Sequence, residues 1–424
     1  MNLFRLACVA ALACSAVPDA SAFTYRMIGD EALLAQSPSV FTARIERRVP
    51  AGANADGMVM ETRYDLRVSE VHKGAVPEKL VLRLPGAVDR VAGWRVAGVR
   101  RYEPGETVLV FAEADPRGVY QPTQLMLGIF RAIEHDGVRY LARDLDGGVA
   151  LGKRANAAYA QARDAERFTA WIAARASGLT AATDYLVSLP PAAAAKFTLL
   201  TVDFGGSIGE LPTRFRKFSQ GTTETWFANA DGQAGMVTDE FAQVQQALAA
   251  WSNDATSDIR MGYGGTVAAA ASNQSNVVWN DPQNQISGSF NCQSGGTLAI
   301  GGPLASFPGH THASTTFATI VEGNVVVQDG AGCAFDDNGG ADGAETLTHE
   351  IGHAIGFGHS CGDSESPACN SNAALNDAVM RSFLHGDGRG ASLRADDIAG
   401  AAFLYPNQAA GSTDPIFTHG FENP

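Results

Sequence analysis

One run of the chain, His349-Glu350-Ile351-Gly352-His353-Ala354-Ile355-Gly356-Phe357-Gly358-His359-Ser360, constrains its fold more than any other. Residues four apart share one face of an α-helix, so a helix over Glu345–Phe357 sets His349 and His353 side by side. A continuous helix normally cannot return His359 to that pair. Gly356 can take a positive φ, end the helix and turn the chain so that His359 joins them. Three neutral imidazoles that leave one coordination position open suit a catalytic Zn2+. Glu350 directly follows the first histidine, placed to reach a water on the metal rather than the metal itself. His349, His353 and His359 are therefore the candidate metal ligands, and Glu350 is the candidate catalytic residue. The competing explanation, a helix with ordinary core histidines, requires His at three fixed offsets in a chain that has only 9.

This HExxHxxGxxH pattern resembles that of the metzincin zinc endopeptidases. Met380, within Ala378-Val379-Met380-Arg381-Ser382, matches their Met-turn and is expected to form an apolar floor under the imidazoles without ligating the metal. Ser360 after the third His, and the stretch Asp396–Tyr405, resemble the matrixin branch. The resemblance covers residues 197–405. It implies an α+β fold with a metzincin-like catalytic domain, a mixed sheet and an active-site helix. It also implies hydrolysis of protein or peptide substrates, with a metal-activated water and Glu350 as general base. Several features depart from the pattern. Met380 lies 380 − 359 = 21 residues beyond His359, longer than is typical, and the excess contains Cys361 and Cys369. Residues 23–196 contain no Cys, so a thiol that blocks the metal from a propeptide is absent. His310 and His312 are weak candidates for a second, structural zinc, with a loop role preferred. Asp336, Asp337, Asn338 and Asp342 resemble a Ca2+ loop only loosely. Their spacing does not match the EF-hand, and a plain acidic turn accounts for them equally well. Asp396 and Asp397 start a helix, where negative charge is favourable; in matrixins an acidic residue here can hold the freed N-terminus.

The chain opens with a short basic segment, an apolar run from Leu6 to Val17 and the small-x-small triplet Ala20-Ser21-Ala22. Together these read as an export signal over residues 1–22, too short in its apolar part to span a bilayer. A secreted protein, extracellular or periplasmic, is the expectation. Four cysteines then remain, an even number that reads as two disulfides. Of the three pairings, Cys361–Cys369 closes a short loop and leaves Cys292–Cys333. The net charge of −14 disfavours a nucleic-acid partner.

Residues 23–155 read as a small all-β domain, a barrel or sandwich, because Thr62, Tyr64, Leu66 and Val68 alternate with polar residues and Gly and Pro punctuate similar runs. Residues 156–196 hold a helix over Asn156–Ser177 and a linker at Leu189–Ala195. Residues 197–405 form the second domain, with an amphipathic helix over Thr238–Asn253, strands at Thr198–Asp203, Val277–Trp279 and Val325–Val327, and a helix over Ala395–Tyr405. Residues 406–424 are a tail. His72, His135 and His385 read as surface residues. The β-rich half is either an inhibitory propeptide or a retained accessory domain. It also motivates a different class of function, a secreted binding or adhesion protein with a non-catalytic zinc site.

Overall fold

The computed structural model describes residues 23–407 apart from 54–58, 90, 136–137, 144, 146–148, 152–161, 188–197, 314, 363–365, 367–368 and 370–371. The expected export signal, the linker at Leu189–Ala195, the first residues of the Asn156–Ser177 helix and nearly all of the tail lie outside the described residues.

The fold is mixed α+β. In the first half, alternating apolar residues on long strands bury one face and leave the other to solvent. Ser39–Ala53 pairs antiparallel with Val59–Lys73, and Val59–Lys73 pairs with Lys79–Pro85. Lys79–Pro85 meets Val119–Pro122, which meets Thr107–Ala114, which returns to Ser39–Ala53. The pairing thus closes on itself as a small barrel. Its core holds Phe41, Phe111 and Phe130, with Phe168, Trp171 and Ile172 of the helix Ala165–Ala176 packed on it. That helix is shorter than the sequence suggests. Residues 162–164 are a strand paired with Val138–Arg143, and the Asp164 side chain caps the helix by accepting the Arg167 N–H.

The elements that build the site are introduced here in chain order. They are the strands β1 (Phe23–Arg26) and β2 (Val149–Leu151), the helix α1 (Glu240–Ser252), the strands β3 (Gly296–His312) and β4 (Thr315–Val327), the helix α2 (Ala341–Ala354), the strand β5 (Phe383–Leu384) and the helix α3 (Ala395–Leu404). In the second half, Glu224–Asn229 lies between Met261–Val267 and Ser275–Val278, parallel to both. Ser275–Val278 is parallel to β4, and β4 is antiparallel to β3. The sequence marks only Val325–Val327 as strand here. The hairpin is far longer because Gly-rich β3 gives little alternation to read. α1 and α2 pack beneath this sheet, and Trp226, Trp251 and Trp279 are buried in the second core.

The two cores follow the two halves of the chain, with crossings. β1 pairs antiparallel with β3, and Ala92–Trp94 also pairs antiparallel with β3 further along. Val278, Ile286, Ile300, Leu304 and Val326 belong to the first core, and Ala97 to the second. Both disulfides form as Cys292–Cys333 and Cys361–Cys369. Among the described residues no helix is long and apolar enough to cross a membrane.

Two histidines read as surface residues are not. His72 is 8% exposed and its ring bonds the Thr42 hydroxyl at 2.8 Å. The His385 ring is almost fully covered and meets Glu345, itself fully buried, at 2.7 Å. Polar residues hide their burial from a sequence reading when their partners lie on distant segments. The His135 side chain lies outside the described residues.

Candidate metal centre

α2 begins at Ala341, four residues before the expected start. Gly339 and Gly340 take positive φ and absorb the turn that Asp337–Gly340 makes before the helix. The helix ends at Ala354. Gly356 then adopts φ 109°, a conformation that L side chains rarely adopt, and a Cβ there would lie 2.6 Å from the Thr213 carbonyl. The Gly356 N–H donates to the His353 carbonyl at 2.9 Å and the Phe357 N–H to the Gly352 carbonyl at 3.0 Å. The turned segment is fixed by Leu200 N–H to the Gly356 carbonyl and Gly358 N–H to the Thr198 carbonyl, both 2.9 Å. His359 is thereby brought back to the helix.

The three rings converge as the spacing predicts. Their centroids lie 4.4 Å (His349–His353), 5.3 Å (His349–His359) and 5.1 Å (His353–His359) apart. One ligand atom from each falls within 4.8 Å of the others, the one such cluster among the described residues. The donor chemistry fits a metal ion. His349 Nδ1 faces the Val379 carbonyl and His353 Nδ1 the Phe357 carbonyl, each at 2.7 Å. A carbonyl can only accept, so both rings carry their proton on Nδ1. Each Nε2 then presents a lone pair, and the two stand 2.6 Å apart. Burial, with the neighbouring histidines, holds both rings well below the usual histidine range, which disfavours an extra proton between them. A shared cation relieves the repulsion, and the two carbonyls are the outer partners that orient metal-binding imidazoles.

Met380 is 2% exposed and packs against α2 at Gly352, the residue before His353. Gly352, facing it from α2, touches Met380 so closely that a Cβ would collide with its sulfur and lie 2.8 Å from Trp251 Cζ2. Trp251 also donates to the Thr348 carbonyl at 2.9 Å and stacks on Phe357. Gly352→Ala is therefore expected to cost about 1–3 kcal/mol by overpacking, read as a lower urea midpoint at unchanged slope.

Asp397 exceeds its expected part as a helix-start charge. It is buried, and its carboxylate accepts from the N–H groups of Val379 at 2.8 Å, Met380 at 3.0 Å and Arg394 at 2.8 Å. The helix α3 is thus tied to the Met380 turn. Burial pushes Asp397 up to about 7 against these three donors. Ser360 N–H donates to the Met380 carbonyl and Ser382 N–H to the Cys361 carbonyl, both 2.8 Å, which pairs the third ligand's segment with the same turn.

Glu350 is fully buried, and burial pushes its carboxyl up to about 8 against hydrogen bonds from Thr24 and the Gly301 N–H. The Thr24 hydroxyl donates to Glu350 Oε1. Gly301 approaches so closely that a Cβ there would lie 2.5 Å from the Glu350 carbonyl oxygen and 2.8 Å from Oε2. Neither Thr24 nor Gly301 carries a sequence signal for this role.

The other candidate ligands lie elsewhere. His310 and His312 are on the outer part of β3. His310 bonds the Thr319 hydroxyl at 2.9 Å, and burial together with Arg214 pushes it down to about 4. No third donor joins them among the described residues. The acidic segment is committed to neighbours. Asp336 accepts from Val237 N–H, Thr238 N–H and the Thr238 hydroxyl, Asp337 pairs with Arg26, and Asp342 accepts from the Asn338 amide. These bonds hold the turn before α2. A search against known protein families found no match, and neither did one against curated proteins.

Proposed function

We propose that the chain is a secreted, zinc-dependent endopeptidase of metzincin type. The observation that carries this reading is the convergence of His349, His353 and His359, with the Nε2 lone pairs of His349 and His353 facing each other and Glu350 on the same helix as those two. His349, His353 and His359 would hold the ion. When bound, Zn2+ polarises the scissile carbonyl and lowers the pKa of water toward ~7. Glu350 accepts the proton of the attacking water and delivers it to the leaving amine. Water attacks directly, so the site requires no nucleophilic side chain. The edge of β3 beside Glu350, when freed of β1, would offer backbone N–H and C=O groups to an extended peptide, the strand-addition mode of peptide recognition. Met380 keeps the floor apolar, while the Val379 and Phe357 carbonyls fix two of the ligand rings. The two disulfides fit an oxidising compartment.

The purified chain is expected to hold about one zinc per molecule by atomic absorption and, once β1 is displaced from β3, to cleave casein in a chelator-sensitive, zinc-restored manner. His359→Ala is expected to lose most of the metal. Cleavage that ignores both chelation and this substitution would sink the reading. One observation favours the alternative of a binding protein with a non-catalytic zinc: all three rings and Glu350 are 0% exposed. Metal bound at full occupancy without any cleavage, even with β1 displaced, would select it.

A further inference from the structure

The burial of the site has an identifiable source. β1 lies along the β3 edge opposite β4, with Phe23 opposite Ile300, Thr24 opposite Ala299, Tyr25 opposite Thr297 and Arg26 opposite Gly296. Beyond it the first half continues to cover the same edge. Ala97 N–H donates to the Gly301 carbonyl and Arg95 N–H to the Pro303 carbonyl, both 3.0 Å. β1 is parallel to β2, and β2 is parallel to β5, which follows the Met380 turn. Two strands from the first half therefore join β3 to β5 in one continuous pairing. Arg26 fastens the end of β1 to the second half, donating to the Cys292 carbonyl at 3.0 Å and pairing with Asp337 at 3.0 Å.

We propose that the folded chain is latent, because β1 occupies the edge that an extended substrate would take and the Thr24 hydroxyl engages the Glu350 carboxylate. This inference rests on the hydrolytic reading of the site. No thiol is involved, since residues 23–196 have none. The cover is made of backbone pairing and one hydroxyl, and it opens when β1 leaves β3. The barrel holds β1 from behind: Arg143, on the strand before β2, donates to the Ile28 carbonyl at 2.7 Å. The first half therefore acts as an intramolecular inhibitor of the second.

Thr24→Pro removes both the hydroxyl and an N–H from β1, and proline is poorly tolerated in a paired strand. The full chain and this variant are loaded with Zn2+, and two rates are measured: release of the metal to excess EDTA, and hydrolysis of a quenched-fluorescence peptide. The variant is expected to release metal at least tenfold faster and to hydrolyse the peptide at least tenfold faster. Faster release with no hydrolysis in either chain upholds the cover and rejects the peptidase reading. Equal release rates overturn the cover, whatever the hydrolysis. Failure of both chains to take up zinc removes both readings. If circular dichroism shows that Thr24→Pro does not fold, Thr24→Val keeps a β-branched residue and loses only the hydroxyl. It is expected to speed release at least threefold, and unchanged release overturns the proposal.

Discussion

Glu350→Gln is expected to lower peptide hydrolysis by about 10²–10⁴-fold while leaving the zinc content unchanged. The substitution keeps the size of the side chain and an oxygen that can still accept from the Thr24 hydroxyl, so the strand cover and the helix should persist. What it removes is the carboxylate proposed to take the proton of water. Comparing kcat/KM for Glu350→Gln with the parent, both in the Thr24→Pro background, gives the widest range for measurement. Atomic absorption on the same samples separates lost chemistry from lost metal. A variant that keeps its zinc and hydrolyses the peptide as fast as its parent would remove Glu350 from the mechanism. One that loses both would place the carboxylate in the support of the ligands.

The part of this site that lies within one helix and its exit turn was legible in the sequence. A spacing of four fixes His349 and His353 on one face, and only a glycine readily takes the φ of 109° found at Gly356. Met380 stands out only through the resemblance to the metzincin Met-turn; nothing local in the sequence marks it. The remainder of the site is not local. Thr24 reaches Glu350 across a sequence separation of 326, and nothing about Phe23–Arg26 marks it as a strand that crosses to the other core. Asp397 looks like any acidic helix start, and its three N–H partners become evident only once the Met380 turn is packed against α3. The barrel was readable as β from its alternating residues. Its crossings with the second core were not, since side-chain alternation indicates a strand's buried face without indicating which strand it pairs with.

Asp30→Asn is expected to cost about 3–5 kcal/mol of stability. Asp30 begins the helix Asp30–Gln36, directly after β1 and its turn. Its carboxylate accepts from Arg143 Nη2 at 2.8 Å, from Arg163 Nη2 at 2.8 Å and Nε at 2.9 Å, and from the Tyr185 hydroxyl at 3.3 Å. The side chains of Asp30, Arg143 and Arg163 are 8%, 1% and 3% exposed. One carboxylate thus faces two buried guanidinium groups, and an amide would remove the negative charge it sets against them. Burial alone would raise the Asp30 pKa, but Arg143 and Arg163 hold it below the usual carboxylate range. The sign of the pH effect follows. A depressed folded-state pKa gives stability that is fully present above the unfolded value of about 3.9 and is lost as pH falls through the folded value. The parent should therefore lose urea resistance on acidification below about pH 4 more steeply than Asp30→Asn, whose midpoint should be low at neutral pH and flatter in acid. The same variant bears on the cover. Arg143 also holds the Ile28 carbonyl just behind β1, so loosening Arg143 should free β1 and quicken zinc release even where the barrel stays folded. A neutral-pH midpoint equal to the parent's would show that the two arginines find other partners, and the anchor assigned to β1 would then fall with the ion pairs.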